Sequence, residues 1–417
     1  MMIFSGGSVN GMITPPPSKS HTHRAFFLSA LSDERCWITN WLNSQDTRAT
    51  RNAIEMMGAN VGGCCGGIQI TCDGLHAPSG VVDADNSGTT MRLFTGIASM
   101  FDSPVTITGD ASLRSRPMGP LLDALDQMGV KCSSDGGKAP VTICGPNNGG
   151  NVRIRGDVSS QFISSLMITA PMLANDTVID IEGILSSKPY VDITANMMKR
   201  FGADVEFIDN GIRIPGGTGY KGCDIVIPSD MSSAAFPLVA GALGGSVTAR
   251  SVDLDDPQGD KRIVDILKDA GALVVVHDDK VTTTRCELMP LDIDMKDIPD
   301  LFPIVAVLLS TAKGKSRLYG APQLRFKESD RIKATVNMLS ALGSDIVETD
   351  DGCVINGVAR LKGGTIEHHE DHRILMAAAV ASLVSDGEVR MTNSNCYDVS
   401  YPLFLSHMKR LGMNIEV

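Results

Sequence analysis

The sequence has few aromatic residues, no excess of basic charge and no long apolar stretch. Aromatic side chains make up 5% of the 417 residues, and 37 basic side chains stand against 48 acidic ones, for a net charge of −11. Nucleic acid is therefore not an expected partner, because phosphate-backbone binding needs a basic face and usually stacking aromatics. The longest apolar runs, Ile304–Leu309 and Met376–Val384, fall short of the ~20 residues that span a bilayer. We predict no membrane span.

Paired-cysteine motifs are also missing. The ten cysteines form no CxxC pair, and only Cys64 and Cys65 are adjacent. This argues against a zinc site or a disulfide framework and favours a reducing cytoplasm, with each cysteine a small buried apolar residue. The N-terminus lacks the basic and apolar segments of a signal peptide, so we expect none. What is present, 43% hydrophobic and 20% charged residues, is typical of a soluble enzyme or small-molecule binder.

A repeat of about 70 residues runs through the chain. An apolar helical face ends in Gly, and a strand, a polar turn and often another strand follow it. Glycine suits a helix C-terminus because the left-handed conformation costs it little. Six copies of this α+β unit account for the chain, and their glycines, 69–73 residues apart, are Gly58, Gly129, Gly202, Gly271, Gly343 and Gly412.

A second feature recurs with the same period. It is a polar start followed by an apolar helix, which we expect to be buried. The six copies begin at Ser18, Asn86, Ser159, Ser229, Asp297 and Glu370. Each unit is thus predicted to hold one buried helix and one amphipathic helix that leads into strands.

The sixth copy is incomplete, because the sequence stops at Val417 where other copies continue into a second strand. The strand-like segment MMIFSGG at the N-terminus is left over, and we infer that it completes this copy. Three repeats per half then predict two domains, residues 14–227 and residues 1–13 with 228–417. A cleft between two hinged halves is the default location for a site.

The polar starts of the apolar helices suit anionic ligands. A helix N-terminus carries free N–H groups and the positive end of the helix dipole. Serine and asparagine at such positions are also ordinary N-caps, and that reading stays open for each. N-caps alone do not explain cations flanked by core residues, which need an anionic partner. These cations are Lys19, Arg24, Arg92 and Arg373.

Three further polar stretches carry candidate residues. Arg114 and Arg116 precede a helix predicted to start around Pro117. Lys327 and Arg331 would share one face of a helix, where like charges repel unless an anion lies between them.

The third stretch, EHHEDHR (367–373), holds ligand-type side chains, but its spacing matches no standard zinc pattern, so we predict no metal there. We interpret His21, His23, His368 and His369 as solvated loop histidines. Asp300 enters a very apolar helix and is either an N-cap or a carboxylate with a perturbed pKa.

Together these motifs resemble one family, the 5-enolpyruvylshikimate-3-phosphate synthases. The resemblance runs from about Pro15 to Pro402, and it is carried by PPSKSHTHRA, DNSGTTMRL, SLRSRPM, VSSQF, SSKPYVDIT, IPDLFPI, KESDRI and EDHR in this order. It implies an α/β fold, an inside-out α/β barrel of two domains with three βαβαββ repeats each. It also implies a monomer with two small-molecule substrates, phosphoenolpyruvate and shikimate 3-phosphate, and no cofactor or metal.

The resemblance assigns residues to both substrates. For shikimate 3-phosphate it implies Lys19, Ser20, Arg24, Ser159, Ser160, Gln161, Ser187, Tyr190, Asp300, Gln323 and Lys327. For phosphoenolpyruvate it implies Lys19, Gly88, Arg92, Arg116, Gln161, Arg331, His372 and Arg373. The reaction needs a base near the 5-hydroxyl and an acid near the methylene carbon. Asp300 is the expected base, and Glu328 and Lys19 compete as the acid.

One position departs from the family pattern. Some relatives close over phosphoenolpyruvate with a lysine in a K-x-F-P motif, whereas VSYP here has Val399 at that position. Either another cation, such as Lys409, replaces the lysine or the site closes with one charge fewer.

Three alternatives remain open. UDP-N-acetylglucosamine enolpyruvyl transferases share the repeat, but they typically show a Lys-Asn pair and a loop cysteine, whereas Lys19 precedes Ser20 and residues 112–129 hold no cysteine. RNA 3′-phosphate cyclases share the architecture but not the acidic balance. A non-catalytic phosphometabolite binder would gain nothing from Asp300 and Glu328 beside its ligand.

Overall fold

The computed structural model describes residues 1–64 and 66–417, so the interpretation of Cys65 lies outside the described residues. Short strands of two to seven residues recur along the whole chain. They are β1 Met2–Ser5, β2 Val9–Ile13, β3 Cys36–Thr39, β4 Ala59–Cys64, β5 Gly67–Cys72, β6 Val82–Asp83, β7 Val105–Thr108, β8 Lys131–Asp135, β9 Lys138–Cys144, β10 Gly150–Arg155, β11 Thr177–Glu182, β12 Glu206–Ile208, β13 Gly211–Ile214, β14 Asp224–Val226, β15 Gly245–Arg250, β16 Leu273–His277, β17 Lys280–Thr284, β18 Asp292–Asp294, β19 Lys315–Tyr319, β20 Asp345–Thr349, β21 Gly352–Asn356, β22 Gly364–Ile366, β23 Val389–Met391 and β24 Asn414–Glu416.

Helices alternate with these strands. They are α1 Lys19–Ala30, α2 Gln45–Met56, α3 Gly88–Ala98, α4 Ala111–Ser115, α5 Gly119–Gln127, α6 Ser160–Thr169, α7 Lys188–Arg200, α8 Met231–Gly244, α9 Ile263–Asp269, α10 Phe302–Leu309, α11 Arg331–Ala341, α12 His372–Ala381 and α13 Phe404–Leu411. Short 3-10 turns precede several helices, among them Pro299–Leu301 before α10 and Pro322–Phe326 before α11.

Six four-stranded sheets share one topology. In each, a parallel pair of strands is extended by two antiparallel strands, and the orders are β14-β3-β5-β4, β6-β7-β9-β8, β10-β11-β13-β12, β2-β15-β17-β16, β18-β19-β21-β20 and β22-β23-β1-β24. A βαβαββ unit produces this order, because the crossover helix joins the parallel pair. The mixed α/β class with six repeats is confirmed.

Three sheets take a strand from a distant part of the chain. β14 pairs in parallel with β3, and β2 pairs in parallel with β15. β1 lies between β23 and β24 and is antiparallel to both, so the leftover N-terminal segment fills the place of the strand that the sixth copy lacks.

The chain divides into two compact units, each with its own core. One unit is Pro17–Ile227, and the other is Met1–Pro16 together with Pro228–Val417. In the first unit α1, α3 and α6 are the most deeply buried helices, and in the second α8, α10 and α12 are buried along their whole length. These are the predicted apolar helices, and four of them, α1, α3, α6 and α12, begin with a candidate residue.

The marker glycines end the amphipathic helices as predicted. All six have φ between +82° and +108°, the left-handed region in which a side chain is strained. Polar caps begin the buried helices: Ser18, Ser87 and Ser159 accept hydrogen bonds from backbone N–H groups of α1, α3 and α6. The N-cap reading therefore holds for these serines.

Candidate active site

In the unit Pro17–Ile227, two arginines converge on the first residue of α3. A Cβ added at Gly88 would lie 3.1 Å from Nη1 of Arg116 and 3.6 Å from Nη1 of Arg92. Arg92 also donates a 2.7 Å hydrogen bond to Oε1 of Gln161, whose Nε2 donates to Oγ1 of Thr89 at 2.8 Å. A glycine backbone, a helix N-terminus and two buried guanidinium groups thus form one anion-binding arrangement.

Lys19 and Arg24 lie on the first turns of α1 in different surroundings. Nζ of Lys19 is 2.9 Å from Oδ2 of the buried Asp46. Arg24 is only 1% exposed, and its guanidinium donates to the Thr194 hydroxyl at 2.7 Å and the Tyr190 carbonyl oxygen at 3.1 Å. Burial lowers the pKa of Arg24 to about 10, so it stays charged at neutral pH. The structure thus brings Arg24 to Tyr190 and α7.

The predicted phosphate-binding serines begin two helices. Ser159 caps α6, whose first residue is the buried Ser160. Ser187 precedes α7 and has a left-handed backbone, with φ of +58°. A non-glycine residue in this conformation is strained, and such residues cluster at functional sites. α6 packs against both α3 and α7.

In the other unit, Arg331 is surrounded by carboxylates. Only 1% of its side chain is exposed, and its guanidinium donates to Asp300 at 2.8 Å, to Glu328 at 2.5 Å and to Asp371 at 3.0 Å. These three acids hold the pKa of Arg331 well above its usual range despite its burial. Ser329 donates a further hydrogen bond of 2.9 Å to Asp371.

Asp300 also pairs with Arg373, which lies on the first turn of α12. Nη2 of Arg373 is 3.0 Å from Oδ2 of Asp300. Burial favours the neutral acid, but Arg373, Lys327 and Arg331 outweigh it and hold the pKa of Asp300 far below its usual range. Asp300 lies in the 3-10 turn Pro299–Leu301, so it is an ion-paired carboxylate and not an N-cap.

One sequence-based placement in these segments is wrong. Lys327 and Arg331 do not share a helix face, because Lys327 follows the 3-10 turn Pro322–Phe326 whereas Arg331 begins α11. Asp330 caps α11 and starts it anew, so no helix continues across residues 328–330. The helix predicted around Pro117 begins at Gly119, after Arg116, and Arg114 lies in the preceding helix α4.

Gln323 and His372 are both buried, and both lie close in sequence to the residues that surround Arg331. Nε2 of Gln323 donates to the Lys296 carbonyl oxygen at 3.1 Å, and its Oε1, although buried, accepts no hydrogen bond. His372 is 1% exposed and follows Asp371, the N-cap of α12. An orphaned buried amide oxygen is unusual and is consistent with a ligand contact.

Sequence reasoning missed three buried aspartates. Asp46 holds Lys19, Asp371 holds Arg331, and Asp260 accepts a hydrogen bond from Ser232. Burial, together with the negative charge of nearby Asp300, raises the pKa of Asp260 to about 7. Asp371 lies within the EDHR motif, whereas Asp46 and Asp260 lie outside the named motifs, and only the fold reveals the cationic or carboxylate neighbour of each.

Comparisons with known proteins decide the family. The sequence profile of EPSP synthase (3-phosphoshikimate 1-carboxyvinyltransferase) matches residues 4–408. The 3-phosphoshikimate 1-carboxyvinyltransferase of Methanocorpusculum labreanum is 48% identical, over 100% of this chain and 99% of the relative. The chain belongs to the EPSP synthase family. The enzyme named 3-phosphoshikimate 1-carboxyvinyltransferase from Methanocaldococcus jannaschii is 40% identical over 98% of this chain and 97% of its own.

Solved EPSP synthase structures share the fold. An EPSP synthase from Acinetobacter baumannii superimposes with a TM-score of 0.83 at 30% identity and covers 100% of this chain and 99% of its own. EPSP synthases transfer the enolpyruvyl group of phosphoenolpyruvate to shikimate 3-phosphate in the shikimate pathway, and this chain is a transferase of that class. The predicted family, enzyme class and reaction are confirmed.

The position of the missing EPSP synthase lysine is buried. Val399 is 7% exposed and ends the 3-10 turn Cys396–Val399. As a valine it supplies no charge at this position. Lys409 lies exposed in the last turn of α13. Whether another cation replaces the lysine or the site closes with one charge fewer stays open.

Several predictions about histidine and cysteine are wrong. His21, His23 and His368 are buried and not solvated, because α1 is a core helix and the ring of His368 contacts the Thr392 carbonyl oxygen. The eight cysteines whose side chains are described are free, but of these only Cys36 and Cys353 are buried as predicted, whereas Cys286 is exposed and the other five are partly exposed. Among the described residues, no helix is both long and apolar enough to cross a membrane.

Proposed function

We propose that the transfer uses residues of both compact units. The observation that carries this proposal is the complementary chemistry of the two residue clusters. The unit Pro17–Ile227 offers the N-terminus of α3 and the cations Lys19, Arg92 and Arg116, whereas the other unit offers carboxylates held by arginines. Cations bind anionic substrates, and carboxylates accept or donate protons, so the reaction needs both.

Roles for the cationic cluster follow from its contacts. We propose that Gly88, Arg92 and Arg116 bind phosphoenolpyruvate, since two guanidinium groups and backbone N–H groups suit a phosphate or carboxylate. Shikimate 3-phosphate would be held at the starts of α6 and α7, by Ser159, Ser160, Gln161 and Ser187, with Ser20 and Tyr190 alongside. The guanidinium of Arg24 donates hydrogen bonds to groups on α1, α6 and α7. Its proposed role is therefore to position Tyr190 rather than to bind substrate.

Roles for the carboxylate cluster depend on the arginines. Asp300 is proposed as the base that takes the proton of the 5-hydroxyl, with Lys327 and Gln323 contacting the same substrate. Its low pKa, caused by Arg373, Lys327 and Arg331, makes it a weak base while these cations face it. An anionic substrate that engages Arg331 and Arg373 would weaken their hold and raise the pKa of Asp300 toward a useful value. His372 would lie near the departing phosphate.

The chemistry is an addition followed by an elimination. A proton adds to the methylene carbon of phosphoenolpyruvate, the 5-hydroxyl attacks the adjacent carbon and its proton passes to the base. The tetrahedral adduct then loses a proton from its methyl group and releases phosphate. Glu328 and Lys19 remain the candidates for the first proton donor.

A phosphate-release assay tests the proposal. Purified protein is mixed with phosphoenolpyruvate and either shikimate 3-phosphate or UDP-N-acetylglucosamine. Release with the first acceptor only is expected, and Asp300→Asn and Arg116→Gln are each expected to lower kcat/KM by at least ~100-fold, about 2.7 kcal/mol. Near-normal turnover in either variant contradicts a role for that unit. Circular dichroism at the assay temperature is the control for folding.

We further propose that the enzyme acts as a monomer in the cytoplasm. The free thiols of the described cysteines support a reducing compartment. Sedimentation at working concentration is expected to give the mass of one chain, 44.3 kDa.

A further inference from the structure

Three ligand-type side chains converge outside the proposed substrate site. One ligand atom each from His368, Glu370 and Cys396 lies within 4.8 Å of the other two. His368 and Glu370 follow β22, whereas Cys396 begins a 3-10 turn 26 residues after Glu370. The local spacing in EHHEDHR gave no zinc pattern because the third ligand comes from another segment.

His368 presents one ring nitrogen to this cluster. The side chain is 3% exposed, and its Nε2 is 3.3 Å from the carbonyl oxygen of Thr392. A carbonyl oxygen only accepts, so Nε2 carries the proton and Nδ1 keeps its lone pair. Nδ1 accepts a 3.1 Å hydrogen bond from the backbone N–H of Glu370 and lies 3.8 Å from Oε1 of the same residue, so a metal ion at Nδ1 takes the place of this hydrogen bond. Metal-bound histidines commonly donate their other N–H to a carbonyl oxygen in this way.

Ser394 supports the other two ligands. Its hydroxyl donates to Oε2 of Glu370 at 2.5 Å and accepts from the backbone N–H of Cys396 at 3.1 Å. Oε1 of Glu370 is the oxygen nearer to His368.

We propose that His368, Glu370 and Cys396 bind one Zn²⁺-type ion through Nδ1, a carboxylate oxygen and the thiolate, with water as the fourth ligand. Nitrogen, oxygen and sulfur donors together suit Zn²⁺, whereas Mg²⁺ and Ca²⁺ require oxygen. Binding exchanges the thiol proton for a metal–sulfur bond and releases that proton to solvent. Because Glu370 precedes Asp371, the ion fastens the segment before α12 to the turn at Cys396. The site is independent of the proposed transfer mechanism.

Metal titration of the full chain tests this site. Cd²⁺ serves as the probe, because its bond to a thiolate gives an ultraviolet charge-transfer band, and calorimetry with Zn²⁺ gives stoichiometry and affinity. One equivalent, with about one proton released per Zn²⁺ at pH 7, is expected. Cys396→Ser should abolish the band, and Glu370→Gln should weaken Zn²⁺ binding at least ~10-fold.

Matched controls come from the same unit. Cys286→Ser removes an exposed cysteine, and His369→Gln changes the neighbouring histidine outside the cluster. Both variants should bind like the unaltered chain. Glu370 is 73% exposed, so its variant should fold normally, which a thermal melt checks. A band that survives Cys396→Ser or disappears in Cys286→Ser, or Zn²⁺ affinity unchanged by Glu370→Gln, overturns the proposal.

Discussion

At the residue scale, Arg331 depends on its neighbours as much as they depend on it. Its guanidinium is buried with carboxylates of Asp300, Glu328 and Asp371 around it. A buried charge is costly unless it is paired, and removing the central cation leaves several carboxylates without their partner. The arrangement is therefore a single electrostatic unit rather than three separable ion pairs.

Replacing Arg331 by Met is expected to lower the free energy of unfolding by about 3–5 kcal/mol, because buried carboxylates lose their partner. Arg325→Met is the matched control. Arg325 pairs with Asp330 and Glu348 but is 26% exposed, so its loss should cost about 1 kcal/mol or less. Urea denaturation of both variants measures the difference, and equal losses would contradict this account.

Gly88 is expected to be intolerant of a side chain for a functional reason. In Gly88→Ala the new Cβ would lie 3.1 Å from Nη1 of Arg116 and displace it. We predict a KM for phosphoenolpyruvate raised about tenfold, or about 1.4 kcal/mol, with little change in stability. Gly119→Ala is the control, since Gly119 also begins a helix but a Cβ there meets nothing within 4 Å. Steady-state kinetics with each substrate varied decides it; an unchanged KM would argue against Gly88 at this subsite.

Asp260 is expected to make stability depend on pH. Burial and Asp300 raise its pKa to about 7 in the folded chain, above the unfolded value near 3.8. The folded state thus holds the proton more tightly, and the stability that this contributes is complete below pH ~4 and lost as pH rises through ~7. Relative to Asp260→Asn, the unfolding free energy should fall by at most about 4 kcal/mol across this range. Asp269→Asn, at an exposed position on α9, should track the unaltered chain in denaturation at pH 4 to 8.

At the element scale, helix ends are the features that the sequence predicted best. The six glycines after the amphipathic helices all adopt positive φ, and serines cap α1, α3 and α6. Caps are local, so a few residues determine them. The break between Lys327 and Arg331 was missed because one charged stretch contains the end of a 3-10 turn and the start of α11.

The helix-ending glycines should differ in their tolerance of alanine. At Gly129 a Cβ meets nothing within 4 Å, so Gly129→Ala tests the left-handed backbone alone and should cost about 1–2 kcal/mol. At Gly58 a Cβ would also lie 2.6 Å from the Gly74 carbonyl oxygen, so Gly58→Ala should cost more. Denaturant midpoints measure both, with Gly119→Ala as the neutral reference. Equal losses of unfolding free energy in the two variants would mean that the loop at Gly74 moves aside without a loss of stability.

At the scale of the whole molecule, periodicity predicted the repeats but not all strand exchanges. The glycine period identified six units, and the incomplete sixth copy pointed to β1. Nothing in the sequence showed that Asp224–Val226 would pair with Cys36–Thr39, because parallel pairing across nearly 190 residues leaves no local pattern. Likewise, the candidate cations could be predicted because apolar residues flank them in the sequence. Their aspartate partners could not, because Asp46 and Asp371 lie far from Lys19 and Arg331 in the sequence.

Strand exchange predicts that the two units differ in autonomy. The segment 17–227 contains every strand of its three sheets, so it should fold alone and unfold cooperatively. The segment 228–417 lacks β1 and β2 and should fail to fold, whereas attaching residues 1–16 after residue 417 through a flexible linker should restore folding. Circular dichroism and thermal melts of the three polypeptides measure this. Cooperative folding of 228–417 alone would contradict it.

The position of β1 has a consequence for synthesis on the ribosome. Its partners Val389–Met391 and Asn414–Glu416 are made last, so at roughly 5–20 residues per second the strand waits about 20–80 s for them. An unpaired strand is a template for aggregation. Met2–Ser5 has only four residues and is followed by Gly6 and Gly7, which limits that template. β1 is therefore made long before its partner strands, and its short length limits its pairing with other chains in the meantime.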